Sequence, residues 1–316
     1  MVWNFSRICR AQPAPRSRSR KLAAGSKSGR RKTRKKTTKK KNNRNLLWLL
    51  VPVVAVIMVT AGVVLYNQIS VKSRKPPVAD KVTIPVQPLK MKVVAVIIDD
   101  VGHSEPAARP FLEMDHPVAL SILPERTFSR DLAAEAVRRG KTVLLHLPME
   151  PEGYPGIDPG PGAILLSQSR KEIGEVLERD ITSIPGVVGI NNHMGSRATT
   201  DPMVMETVLA LINKKKLFFI DSRTSPETIA LKLAREMGIP SARRDVFLDN
   251  IPTPSAIDAR TDELLDLVEK RGWAIGIGHA NVETANALER MAKKASQRNI
   301  QWISLESLMA YAHTGN

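Results

Sequence analysis

From residue 91 onward, short apolar runs alternate with longer amphipathic stretches. The runs are VVAVII (93–98), PVALSIL (117–123), TVLLHL (142–147), VVGI (187–190), LFFI (217–220), WAIGI (273–277) and IQWISL (300–305). Between them lie SRDLAAEAVRRG (129–140), SRKEIGEVLERDITSI (169–184) and TDELLDLVEKRG (261–272), whose apolar residues recur at helical spacing. Ser129 and Thr261 are the predicted N-caps of two of these helices, and Gly140 and Gly272 the predicted residues just past their C-termini. Continuous apolar strands that alternate with amphipathic helices predict an α/β fold with a parallel sheet covered by helices. About seven such units predict a closed or nearly closed (β/α) barrel. No GxGxxG or P-loop follows the first run, so nothing supports a nucleotide-binding fold.

A different pattern precedes this region. Residues 46–66, LLWLLVPVVAVIMVTAGVVLY, form an uncharged run that as a helix would span about 31 Å, the thickness of a bilayer's hydrocarbon core. Trp48 and Tyr66 stand near its ends, where amphipathic rings favour the membrane interface. Seventeen of the chain's 48 Lys and Arg residues fall in residues 1–45, which hold no Asp or Glu; the remaining 31 basic residues balance the 31 acidic ones. The net charge of +17 therefore belongs to the tail alone. The positive-inside rule keeps such a tail in the cytoplasm and predicts a single-pass signal anchor in the cytoplasmic membrane, with everything after Tyr66 outside. The tail lacks the aromatic spacing that would stack bases, and the remainder is neutral, so nucleic acid is not the expected partner. Residues 67–90, with Pro76, Pro77, Pro85 and Pro88, read as a semi-extended linker to a domain spanning residues 91–316. Cys9 is the only cysteine, so the outer domain has no internal disulfide.

Polar residues gather where the apolar runs end. Asp99 and Asp100 close the first, His146 ends TVLLH, and Asn191, Asn192 and His193 follow VVGI. Asp221 and Arg223 follow LFFI, and His279 follows WAIGI. In a (β/α) barrel these ends form one face, the face where chemistry sits. Adjacent residues of a strand point to opposite sides, so Asp99 and Asp100 can share a site only where the pleat breaks; Gly102 is the expected place for that break. Two close carboxylates call for a cation. A divalent metal held by one carboxylate and two imidazoles would meet that need and leave coordination positions open.

The segments IIDDVG, LHLPMEP, DPGPGAI, GINNHMGS, FFIDSRTS and GIGHA together resemble the divergent polysaccharide deacetylase family 2, a relative of the carbohydrate esterase family 4 deacetylases. The resemblance covers roughly residues 91–312. It implies a deacetylase-type barrel, a divalent metal with Zn²⁺ the expected ion, and an acetylated polysaccharide as substrate. It also implies that Asp99 is the catalytic base and Asp100 a metal ligand. The relatives supply two histidines four apart after the third strand, whereas here His146 is followed by Glu150, with Pro148 between them. Either Glu150 or His193 completes the ligand set. His193 is preferred because NNHMGS forms a glycine-terminated turn at the correct rim.

In the chemistry so implied, the metal acidifies water, Asp99 takes the proton and His279 protonates the departing sugar amine. Asp221 is a further candidate of the catalytic group. Arg223 would position Asp99 or Asp221, or bind a substrate carboxylate. A second reading of the same fold is a glycan-binding scaffold of the cell envelope without turnover. The segment PEGYPGIDPGPG (151–162), with eight Pro or Gly among twelve residues, is expected to be a stiff wall beside an extended substrate.

Overall fold

The computed structural model describes residues 92–314, together with Met58 and Thr60. The basic tail, the rest of the predicted membrane span and the linker lie outside the described residues, among which no helix is long and apolar enough to cross a membrane.

The alternation is realised as β1 (Lys92–Val101), α1 (Glu105–Glu113), β2 (Val118–Ile122), α2 (Ser129–Arg138), β3 (Thr142–Met149), α3 (Arg170–Ser183), β4 (Val187–Met194), α4 (Pro202–Lys215), β5 (Phe218–Asp221) and α5 (Ala230–Glu236). Then follow β6 (Ser241–Arg243), β7 (Val246–Phe247), α6 (Pro254–Arg271), β8 (Trp273–His279), α7 (Val282–Gln297), β9 (Ile300–Trp302) and α8 (Leu305–Thr314). All the strand pairs are parallel, in the order β6-β5-β4-β3-β2-β1-β8-β7, with β9 added alongside the first residues of β1. The sheet is a half-barrel of eight strands in one path with a ninth beside β1, where the apolar runs predicted about seven strands in a closed or nearly closed barrel. The difference lies in residues 241–247. This one segment pairs with β5 through its first half and with β8 through its second, so it counts as two short strands, neither long enough to register as an apolar run. Between them Arg244 N donates to Asp221 O and Asp245 N to Ile275 O, each at 2.9 Å, so the gap between the two sheet edges is crossed by two residues of chain.

Alternation along the strands divides the apolar residues into two layers. Val94, Val96 and Ile98 of β1 pack with helix residues such as Phe111, Leu132, Leu177, Leu209 and Leu288. Val93, Ala95 and Ile97 turn the other way and meet Ala119, Leu144, Phe218, Ile220, Ile275 and Ile277 inside the curve of the sheet. Leu305, Leu308 and Met309 of α8 belong to that inner cluster. Thr142, the first residue of β3, donates to Glu306 of α8 at 3.2 Å, so α8 covers the N-terminal end of the strands. Gly189 occupies an inner position of β4, where a Cβ would fall 2.4 Å from the Phe218 ring; only glycine lets that ring lie across the interior.

Two predicted helix starts move. Ser129 is the first residue of α2 rather than its cap, which is Phe128. Thr261 lies buried in the middle of α6, donating to Asp258 O at 2.8 Å, because Pro254 starts this helix seven residues earlier. Gly140 and Gly272 both take positive φ just past helix ends, as expected.

Candidate metal and acid–base site

One parity rule assembles the site. The inward series of β1 runs through Val93, Ala95 and Ile97 to Asp99, and that of β8 through Ile275 and Ile277 to His279, which pairs in register with Asp99. Ser121 follows Ala119 inward on β2, and His146 follows Leu144 on β3. Asn191 pairs with His146 in register, and His193 comes two residues later on the same face of β4. Five neighbouring strands therefore place polar side chains around one space at their C-terminal ends.

Asp100 should point outward by the same rule, and its backbone prevents this. Its φ is +60°, and the β1–β2 register shifts between Ile98 and Val101. The pleat breaks at Asp100 itself, two residues before the expected break at Gly102, whose φ is +127°. Aspartate is among the few side chains that tolerate this conformation.

Asp100 Oδ1 lies 3.0 Å from His193 Nδ1 and 3.2 Å from His146 Nε2, and the two ring nitrogens are 3.2 Å apart. Neither contact is aligned as a hydrogen bond, so Oδ1 is buried without a donor. Burial alone would raise the Asp100 carboxyl, but the two imidazoles beside it outweigh burial and hold it well below the usual carboxylate range. Three donor atoms around one divalent ion at about 2.0–2.2 Å lie about 3.0–3.5 Å from one another. The orphaned oxygen and the two nitrogens match that spacing, and together they form a group that could hold a metal ion.

Asn191 organises the surroundings. Its Oδ1 accepts from Ser121 Oγ and lies 3.0 Å from His146 Nδ1, while its Nδ2 donates to Asp99 Oδ1 at 2.8 Å and to Ser222 Oγ at 3.2 Å. All four hydrogen-bonding positions of the amide are used. With Asn191 Oδ1 as acceptor, the neutral His146 ring carries its proton on Nδ1 and presents a lone pair at Nε2 toward Asp100. Asp99 is buried, and burial pushes its carboxyl up, against the lowering effect of His146 and the Asn191 hydrogen bond.

His279 faces the same space, its Nε2 3.6 Å from Asp100 Oδ2. Its Nδ1 lies 3.0 Å from Asp249 Oδ1, and its backbone N–H donates to Asp249 Oδ2 at 2.7 Å. Burial works against the protonated ring, but Asp249 more than compensates and raises its pKa to about 9. Asp249 is held in turn by Thr284 Oγ1 at 2.7 Å and Asn281 Nδ2 at 3.1 Å. Asp99, Asp100, His146, His193 and His279 open onto a cleft of about 480 Å³, also lined by Arg223, Arg244 and Phe247.

Other sequence-based candidates fall elsewhere. The buried Glu150 carboxylate accepts from Arg197 Nη1 at 2.9 Å and Leu166 N at 2.8 Å, so it braces the chain after β3 and stays out of the metal-type cluster. Asp221 follows the inward Ile220 and therefore points to the helix side. There it accepts from Arg223 N at 2.8 Å and Thr228 Oγ1 at 3.0 Å and does not line the cleft. Arg223, with φ of +52°, meets the Asp221 carboxylate only through its backbone N–H, and Asp99 is oriented by Asn191 instead. None of residues 151–162 lines the cleft. A Cβ on Gly160 would strike the Arg126 guanidinium and one on Gly162 the Asp180 carboxylate, so this segment packs toward those side chains rather than walling the site. Sequence reasoning missed Ser121, Ser222, Asp249, Arg244 and Phe247, and placed Asn191 on the polar rim without giving it a role. Inward parity would have found Ser121. Asp249 follows a two-residue strand that leaves no periodicity to read.

Residues 96–309 match the family described as divergent polysaccharide deacetylase. This chain belongs to that family. Two bacterial relatives share the deacetylase-like region. An uncharacterized protein of Haemophilus influenzae is 30% identical over 215 residues, 68% of this chain and 76% of the relative. The uncharacterized protein YibQ of Escherichia coli is 31% identical over 198 residues, 63% of this chain and 61% of YibQ, so less than two-thirds of YibQ is spanned. The crystal structure of the uncharacterized protein ATU2773 from Agrobacterium tumefaciens has the same fold, with a TM-score of 0.65 and 28% identity, covering 68% of this chain and 88% of that one.

Proposed function

We propose that this chain is a metal-dependent deacetylase of acetylated envelope or extracellular polysaccharide. The observation that carries this reading is the convergence of Asp100 Oδ1, His146 Nε2 and His193 Nδ1 beside a buried carboxylate and a carboxylate-supported histidine. Asp100, His146 and His193 would hold the ion, and their nitrogen–oxygen donor set suits Zn²⁺. When bound, the ion would supply Lewis acidity toward the acetyl carbonyl and lower the pKa of water.

Asp99 is the general base. It lines the cleft and accepts from Asn191 through Oδ1, while Oδ2, 3.6 Å from His146 Nε2 and without a hydrogen bond among the described residues, would take a proton from water as the water attacks the acetyl carbon. Its upward shift brings the base nearer to neutral pH, where proton transfer is most effective. His279 is the general acid: Asp249 secures Nδ1, and the proton on Nε2 faces the cleft for transfer to the leaving amine or hydroxyl. Asp221 and Asn191 act as positioning residues, one on the loop after β5 and the other on the base.

Metal content by mass spectrometry and acetate release from acetylated glycans test the assignment. Asp100→Asn, which tolerates the left-handed backbone, is expected to lose both metal and turnover. Asp99→Asn is expected to keep the metal and lose turnover by about 10²–10⁴-fold. A zinc-supplied parent that holds no metal would refute the ligand set, as would a Glu150→Ala variant that loses the metal when His193→Ala does not. A parent that holds metal but releases no acetate would favour the glycan-binding scaffold.

The uncharged run at 46–66 and the one-sided charge of the tail support a single-pass anchor in the cytoplasmic membrane, with the deacetylase-like domain outside. Protease added to spheroplasts is expected to digest the domain and spare the tail; a protected domain would overturn this topology.

A further inference from the structure

Arg244 sits where the chain crosses from β6 to β7, between the cleft just described and a second one. The second cleft has a volume of about 450 Å³ and is lined by Arg244, Phe247, Asn250, Ile251, Ala256 and Arg260. It contains two guanidinium groups and no carboxylate. Arg244 and Phe247 line both clefts, so the two spaces adjoin.

The Arg244 guanidinium is firmly placed. Its Nε donates to Ser222 O at 2.7 Å, its Nη2 donates to Arg223 O at 3.1 Å, and its Cζ stands 4.9 Å from the centre of the Phe247 ring. Two of its five N–H donors are spent on backbone carbonyls along the Nε–Nη2 edge. The end-on edge, formed by Nη1 and the second hydrogen of Nη2, has no protein acceptor among the described residues. Nor does either Arg244 or Arg223 form an ion pair with a carboxylate among those residues, whereas Arg260 is paired with Glu263 at 2.5 Å. Burial makes the charged state of Arg244 less favourable, and the repulsion of neighbouring Arg223 and Arg260 adds to this against the partial support of the more distant Asp99 and Asp221 carboxylates. A half-buried cation with no direct carboxylate partner among the described residues, held rigidly at the mouth of a cleft, is poised for an anion. Its planar end-on edge suits the two oxygens of a carboxylate in a paired, in-plane contact. Phe247 and the 61% exposed Ile251 offer apolar surface for the face of a sugar ring.

We infer that Arg244 forms an anion subsite beside the catalytic cleft and that the protein binds an acidic glycan, with a sugar carboxylate on Arg244 and the acetylated sugar over Asp99 and Asp100. The placement of the acetyl group rests on the deacetylase reading; the anion subsite does not. Arg223, exposed at the rim, adds to the field that draws the acid in.

The test is titration of the full chain with an oligosaccharide of alternating hexuronate and N-acetylhexosamine, and with the same oligosaccharide after carboxyl reduction. The parent is expected to bind the acid form about ten-fold tighter, the size of one charge-assisted hydrogen bond. In Arg244→Gln the ratio of the two affinities is expected to collapse to about one, and a general loss of fold would not move that ratio. Equal affinities in the parent, or a preference that survives Arg244→Gln, would overturn the subsite. If Arg244→Gln fails to fold, the parent alone decides: raising salt from about 50 to about 300 mM should erode binding of the acid form and spare the reduced form. Equal salt effects on both forms overturn the proposal. Acetate release is scored separately. A charge preference without release defeats the deacetylase reading and supports the subsite, whereas release without preference defeats only the subsite.

Discussion

The two ends of the sheet's interior are built from the same strands by the same alternation, yet they do opposite work. At the N-terminal end the inward residues are hydrocarbon: Val93, Ala95, Leu144, Phe218 and Ile275, with Leu305, Leu308 and Met309 of α8 packed among them. At the C-terminal end, one or two steps further along, the inward residues become Asp99, Ser121, His146, Asn191, His193 and His279. The apolar end is non-directional, since any well-packed side chain of suitable volume serves. The polar end is directional: each buried group needs a particular partner, and Asn191 alone supplies partners to four side chains. Substitution at the apolar end is thus expected to change stability alone, and substitution at the polar end to change stability and metal affinity together.

The largest separation is expected from truncating one buried side chain at each end. Asn191→Ala leaves Asp99, Ser121, Ser222 and His146 Nδ1 without their partner and is expected to cost about 3–6 kcal/mol of stability. It should also lower metal affinity by about 10–100-fold, because the ring of His146 loses the acceptor that sets its tautomer. Leu308→Ala, in the inner cluster beside α8, is expected to cost about 2–5 kcal/mol through the cavity it leaves, with metal affinity unchanged. Denaturant unfolding and zinc titration on both variants measure the contrast. A fall in metal affinity in Leu308→Ala would show that the two ends are coupled through the strands.

A smaller effect is expected from a polar residue buried outside both ends. Asp180 of α3 lies against Gly162 with its side chain 0% exposed, and neither carboxylate oxygen has a hydrogen-bond partner, although Arg179 Nε stands 3.7 Å away. Burial pushes its carboxyl from an ordinary 3.8 up to about 7. The unfolded chain gives up that proton first, so the native state binds more protons between these values. Stability then falls as pH rises from about 4 to about 7, and the loss is complete above that window. Asp180→Asn removes the titration and is expected to stabilise the protein by about 2–4 kcal/mol at about pH 8, with no gain at about pH 4. A gain that does not depend on pH would show that packing, not charge, limits this position.

Much of this was legible from local pattern. Five of the six inward polar positions at the strand ends, all but Ser121, lie in segments flagged by their polar residues, because a β-strand's period of two is written directly in the sequence. Asp221 shows the limit of reading residue types without parity. It follows Ile220, an inward residue, so it had to face the helices, and the loop after β5 took its carboxylate. Glu150 and His193 could not be ranked by spacing alone, since Glu150 is four residues from His146 in sequence and His193 is 47. The parallel pairing of β3 with β4 places Asn191 beside His146 and brings His193 to the same rim, while Glu150 turns to Arg197.

The chain's own order of apolar runs and its six short motifs determined the fold class, the family and the rim on which polar groups collect. These are properties of neighbouring residues, and local sterics and burial act on neighbours. Tertiary structure decided the rest. It set Asp100 beside two imidazoles through a left-handed residue, gave His279 its partner Asp249 from thirty residues earlier, and left Arg244 between two clefts without a directly paired carboxylate among the described residues. Those outcomes depend on which strands become neighbours and on where a seven-residue segment divides between two sheet edges, and no local periodicity records either choice.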